Sequence, residues 1–334
     1  PEPPPEPPPE PLTEPQVGSS SPAPAEPDGP QTPQVAGSLR NRLAVRWQAL
    51  RRAAPSVPGF SPRSEDIFPH LLQQVEPERL TLIAGVVSTL IYLGFVLAFP
   101  IFTLWDKPHI SSNSPLIYDM GAITHYSAWA AFAFVGAVLA LFACQFLALV
   151  AAGRVQLLTP GRVRLMRLMA MGFPALFAVI MLWMQPVTTT DLYGYVARGY
   201  LYAQLHQNPM VDPAYQLPGG LSVDRPASPY GPLWLLIAWV VAKLSGENLL
   251  LSMLLFKGIA VVAMLASLFL LDRLALRFFP ESRLRLDVLF GWSPLLLFEA
   301  IGNGHNDIVM MLCVLLAFTC ICLLYTSPSP RDRQ

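Results

Sequence analysis

Three long stretches of the chain contain no Asp, Glu, Lys or Arg: Leu80–Trp105, Met120–Gly153 and Leu168–Thr190. Each outlasts the roughly 20 apolar residues that a helix needs to cross a hydrocarbon core, so three membrane spans are expected there. The second half is more broken. Gly231–Ala242 is strongly apolar but short, and it ends at Lys243, Ser245, Gly246 and Glu247. A run of that length, roughly 10–14 residues, suits a re-entrant or interfacial segment better than a crossing. Asn248–Leu271, Val288–Gly302 and Ile308–Tyr325 supply three further candidates. The pattern predicts an all-α polytopic membrane bundle of about six spans over residues 80–324, with juxtamembrane helices in one large external loop.

The polar segments change the picture at the ends. Residues 1–39 hold six acidic residues, no Lys or Arg, and much Pro and Ser. Such a segment buries too little apolar area to offset its ordering entropy, and disorder is expected. Residues 40–79 begin with Arg40, Arg42, Arg46, Arg51, Arg52 and Arg63, with Leu43, Trp47 and Leu50 at helical spacing. This reads equally as an amphipathic helix on an anionic membrane surface or as a solvated linker. Residues 325–334 (Tyr-Thr-Ser-Pro-Ser-Pro-Arg-Asp-Arg-Gln) read as a non-native tail, and with Pro1 at the start both ends look cut.

Charge bias fixes the expected orientation, because cytoplasmic loops are enriched in Lys and Arg. The basic segment before the first span places the N-terminus inside, and Arg154, Arg162, Arg164 and Arg167 follow the second span. If Gly231–Ala242 does not cross, Arg273, Arg277, Arg283 and Arg285 also fall inside. Residues from about 188 to 247 then form the external loop, and the turn 302–307 faces the same side.

Composition agrees with a membrane setting: 53% of residues are hydrophobic and 13% charged, against roughly 25% charged in soluble domains. Net charge is zero, which gives no basic footprint for nucleic acid. Cys144, Cys313, Cys320 and Cys322 all lie in apolar runs and read as packing residues.

Two external clusters carry candidate chemistry. Asp191, Tyr195 and Arg198 are spaced i, i+4, i+7, which puts them on one face of a helix starting where the third span ends. A carboxylate at the membrane edge suits a general base, and the planar guanidinium of Arg198 suits a phosphate oxyanion. The plainer reading is a helix cap at Asp191 and an interfacial aromatic belt of Tyr193 and Tyr195. The second cluster is Gly302-Asn303-Gly304-His305-Asn306-Asp307. Gly and Asn serve tight turns for backbone reasons, but His305 and Asp307 add ionisable groups that could bind a hydroxyl, a phosphate or a divalent cation. They are too few for a metal site to be expected; no cofactor is implied, and a divalent cation stays open. Lys257 and Glu299 are ionisable groups inside expected spans, where they are costly and usually face a bundle interior or a wet cavity.

The stretches "DLYGYVARG", "QNPM", "SPYGPLW" (Ser228 to Trp234) and "SPLLLFEAIGNGHND" resemble, in order, the GT-C integral membrane glycosyltransferases. The nearest resemblance is to polyprenol-phosphate-mannose-dependent α-1,6-mannosyltransferases of bacterial cell-envelope synthesis. That resemblance implies a bacterial plasma-membrane enzyme with an external active site, of which this chain would be the N-terminal half. It implies an inverting transfer from a polyprenyl-phosphate sugar donor to a glycan or glycolipid acceptor. Asp191 matches the family's catalytic base, Arg198, Lys257, Tyr193 and Tyr195 would face the donor phosphate, and Tyr230, Asn303, His305, Asn306 and Asp307 would line the cavity. The competing readings are a transporter or flippase of a lipid-linked saccharide, with Asp191 and Lys257 as a charge relay, and a structural membrane subunit. A transporter would place its ionisable groups at midplane on broken helices in symmetric positions. Here they gather at one face beside an external loop.

Overall fold

A computed structural model of the protein describes residues 75–101, 124, 126–155, 158–219 and 221–324. The Pro-rich tail 1–39, the basic segment up to residue 74 and the final tail 325–334 lie outside the described residues.

Four helices are long and apolar enough to span a membrane: α1 (Pro77–Ala98), α2 (Ala128–Gly153), α3 (Pro160–Met181) and α6 (Leu249–Phe278). At about 1.5 Å per residue even the shortest covers roughly 30 Å. Pro77 and Pro160 stand at the first positions of α1 and α3, where the missing N–H has no helical partner to lose. The outward faces are apolar: Leu97 is 80% exposed and Trp129 83%. A soluble helix would carry charge there; these faces are built for lipid. The fold is an all-α polytopic membrane bundle.

Aromatic side chains fill the interior between α1, α3 and the later helices. Tyr92 packs on Phe177 with ring centroids 5.0 Å apart, and Phe95 meets Phe298 edge-on at 4.7 Å. Pro174 lies inside α3, and its lack of an N–H removes the helical donor for the Ala170 carbonyl. The indole Nε1 of Trp292 donates to that same carbonyl at 3.3 Å. Where α1 and α3 end, a short antiparallel bridge joins them: Ile101 N donates to the Trp183 carbonyl (2.9 Å) and Gln185 N to that of Phe99 (2.8 Å).

The segment after α3 enters α4 (Asp191–Ala203), a hairpin of β1 (Ala214–Leu217) and β2 (Leu221–Arg225), and then α5 (Pro232–Ser245). The antiparallel strands pair Ala214 with Arg225, Gln216 with Ser222 and Leu217 with Leu221, with an irregularity between Ala214 and Gln216. This hairpin is not anticipated by an all-helical pattern. Pro213, Pro218 and Gly219 punctuate it as turn residues do. Glu247, at the α5–α6 corner, ties it down by accepting from Gly219 N (3.0 Å) and the Tyr200 hydroxyl (2.8 Å). Helices α4 and α5 touch backbone to backbone: a Cβ on Gly199 would lie 2.5 Å from the Ala238 carbonyl oxygen. At 14 residues α5 is too short to count among the spans.

The expected fifth span, Val288–Gly302, is not one helix. It divides into α7 (Arg283–Gly291) and α8 (Pro294–Leu296), the latter running on as a π-helix, Leu297–Gly302. Pro294 cannot donate to α7, and the Ser293 hydroxyl caps the new start by accepting from Leu296 N (3.4 Å). After the turn at 303–306, α9 (Asp307–Leu324) leaves at 113° to Pro294–Gly302, so the chain folds back on itself. Counting that bent pair as one gives five candidate spans among the described residues, against the six expected.

Charged side chains lock the other end of the bundle. Arg162 pairs with Glu76 (2.9 Å) and Glu78 (3.0 Å), joining the starts of α3 and α1. Asp272 of α6 takes both Arg283 Nε (2.6 Å) and Nη2 (2.5 Å), with Arg167 of α3 at 3.5 Å.

Candidate active site

The site forms at the opposite end, where α3 has run out and α4 begins. Asn303 assembles it. Its Oδ1 accepts from the backbone N–H of Val187 (3.3 Å) and of Thr188 (3.4 Å), and its Nδ2 donates to Thr188 Oγ1 (2.5 Å) and Glu299 Oε2 (3.1 Å). One fully buried amide thus fastens the lead-in to α4 onto the π-helix. Asp191 is the first residue of α4, and Thr189 Oγ1 accepts from its N–H at 3.2 Å.

His305 then bridges two carboxylates. Its Nδ1 is 3.3 Å from Asp191 Oδ2 and its Nε2 is 3.3 Å from Glu299 Oε2. A neutral imidazole has one N–H and can donate to only one of them. Asp191 and Glu299 remain 40% and 44% exposed, open enough for a substrate hydroxyl to approach. Beside them a cavity of about 290 Å³ is lined by Glu299, His305, Asp307 and the apolar Leu296, Ile308 and Met311. Asp191 does not line it; His305 joins the two.

The face of α4 below Asp191 carries the rest. Tyr195 donates its hydroxyl to Asn306 Oδ1 (3.2 Å) and packs edge-on against Tyr230 and Trp234, each 5.0 Å away. The Arg198 guanidinium stands 5.5 Å over the Tyr230 ring and donates from Nη2 to the Pro226 carbonyl (3.2 Å). Burial, reinforced by the charge of Arg225, pulls Arg198 below its usual range. Burial pushes Tyr193 and Tyr195 up, which keeps both phenols protonated.

Asp191, Tyr195, Arg198, Tyr230, His305, Asn306 and Asp307 therefore come together at one end of the molecule. Three expected site residues do not open onto it. Lys257 is fully buried and its Nζ donates to the Met184 carbonyl, so the ammonium satisfies backbone beside the α1–α3 bridge. Tyr193 is fully buried in the apolar cluster around α4. Asn303 is a buried clamp rather than a cavity wall. The sequence reading noted Glu299 without joining it to His305, because the link depends on a π-turn. It missed Arg225, which a loop reading leaves in solvent. Among the described residues no three His, Cys, Asp or Glu side chains are grouped to hold a metal ion.

A family model described as alpha-(1->6)-mannopyranosyltransferase, N-terminal domain, matches residues 81–325. The chain belongs to that family. Mannosyl transfer is the family's reaction, so this membrane protein is a mannosyltransferase, with a sugar donor and an acceptor as substrates. Neither the curated proteins nor the solved structures give a match. As an enzyme, the mannosyltransferase is not the flippase or the structural subunit that the sequence left open. Its two most specific phrases fall at the site: "GNGHND" holds the clamp, the bridging histidine and Asp307, and "SPYGPLW" brings Tyr230 and Trp234 against Tyr195.

Proposed function

We propose that the protein transfers mannose from a polyprenyl-phosphate donor to a hydroxyl of an extracytoplasmic cell-envelope glycan or glycolipid, with Asp191 as general base. The acceptor oxygen attacks the anomeric carbon and its proton passes to Asp191. The bond from that carbon to the phosphate oxygen breaks, and its electron pair stays on the polyprenyl phosphate. Inversion follows from a single displacement. The observation that carries this reading is the chain Asp191–His305–Glu299, with both contacts at 3.3 Å. It holds one carboxylate in place while leaving it accessible, as a base must be.

In the bacterial plasma membrane that the resemblance implies, two features favour this site facing outside. The clusters of Arg at the far end of the bundle fit the cytoplasmic face, which agrees with a cytoplasmic N-terminus. The apolar stripe Leu233, Leu236, Val240 and Leu244 of α5 is exposed and suits the interface beside an external site.

The test uses membranes containing the full-length protein and supplied with polyprenyl-phosphate-mannose. Asp191→Asn should lower transfer by about 10²–10⁴-fold with expression and thermal stability unchanged. Transfer at the wild-type rate would remove Asp191 from the chemistry.

A further inference from the structure

Arg225 ends β2, far from Asp191 in sequence, yet its Nη2 donates to the carbonyl of Thr190 (3.3 Å), the residue just before the base. Arg198 in turn donates to Pro226, the residue just after Arg225. Both arginine side chains flank Gly194: a Cβ built there would lie 2.8 Å from Arg198 Nη1 and 3.8 Å from Arg225 Cδ. Neither arginine forms an ion pair with a carboxylate among the described residues. The Nε of each is buried without a hydrogen-bond partner, and Arg198 is only 6% exposed. Two like charges held together, half-desolvated and with unused donors, are costly unless an anion joins them.

We infer that Arg198 and Arg225 form a two-guanidinium clamp for the leaving phosphate, the hairpin delivering Arg225 as a catalytic residue. The inference rests on the proposed donor and follows its charge. A sugar-linked polyprenyl phosphate is a diester with one negative charge. Breaking the anomeric C–O bond leaves a monoester, whose second ionisation lies near pH 6, so a second charge develops as the bond breaks. One arginine balances the substrate; the other is matched only as the reaction proceeds. An interaction made mainly in the transition state raises kcat rather than lowering KM. Gly194 fits this scheme. Gly is disfavoured in a helix interior relative to Ala, but a methyl there would displace the Arg198 fork.

The experiment has two arms, both with the full-length protein in lipid nanodiscs. In the first, Arg225→Gln lowers kcat by about 10²-fold, with the donor KM within about threefold. Arg225→Lys, which keeps the charge but loses the fork, falls about tenfold and covers the case in which the glutamine variant does not fold. In the second, inorganic phosphate raises the thermal midpoint of the wild type. The gain grows from pH 5.5 to 7.5 as the dianion forms, and Arg225→Gln abolishes this dependence, which a merely structural arginine would not. Wild-type kcat and wild-type phosphate response in both variants would overturn the clamp. If Asp191→Asn abolishes transfer while both Arg225 variants behave as wild type, the proposed function stands and the clamp falls. If phosphate protection needs Arg225 but polyprenyl-phosphate-mannose is not turned over by the wild type, the clamp stands and the donor is wrong.

Discussion

Asn303 engages its amide with four groups of the chain: the N–H groups of Val187 and Thr188 donate to its Oδ1, and its Nδ2 donates to the Thr188 hydroxyl and to Glu299. Replacing it by Leu keeps the volume but leaves the N–H of buried Val187 unmatched, which costs about 1–3 kcal/mol. The expected result is a lower thermal midpoint together with loss of transfer, because the lead-in to Asp191 loses its anchor. His305 separates the two effects. His305→Gln should leave the midpoint within a degree or two and lower kcat by about 10–100-fold, since a partly exposed ring that orients Asp191 contributes more to position than to packing. Steady-state kinetics beside a thermal scan would check both variants; a His305→Gln enzyme at wild-type kcat would exclude the ring from the reaction. At this scale the sequence was informative for residues that stand at chain breaks. Asp191 and His305 each follow an apolar run, so their location at a membrane edge could be read directly. Lys257 could not be read: an ammonium inside an apolar helix looks the same whether it faces a substrate or, as here, a backbone carbonyl.

Elements show the same division between long and short range. The four long helices follow from long apolar runs, three of them uncharged, because length and hydropathy decide them. The break at Ser293–Pro294, the π-turn and the β1–β2 hairpin depend on local partners and tertiary contacts that no period reveals. Trp292 is the clearest of those partners, since its indole serves the carbonyl that Pro174 leaves open. Trp292→Phe keeps the ring contacts with Phe173 and Phe177 but strands that carbonyl. Thermal denaturation should show a loss of about 1–3 kcal/mol, and Pro174→Ala in the same background should restore part of it by returning the helical N–H. An unchanged midpoint in Trp292→Phe would mean that the carbonyl is satisfied in another way.

For the whole molecule, polarity is distributed by end. The ion pairs of Arg162, Arg167 and Arg283 lie at one end and the candidate site at the other. In a background with the native cysteines replaced, a cysteine at Met210 should react with an impermeant maleimide applied outside intact cells. One at Gly161 should react only after permeabilisation. The reverse pattern would invert the proposed orientation. The partners of the site are also far apart along the polymer, with Asp191 in the middle of the described chain and His305 at the entrance to its last helix. A ribosome therefore releases Asp191 long before the ring that contacts it, and a nascent chain that stops short of α9 carries that carboxylate without His305. Assembly of the site therefore waits for the turn at 303–306, which is inserted only after the earlier helices are in place.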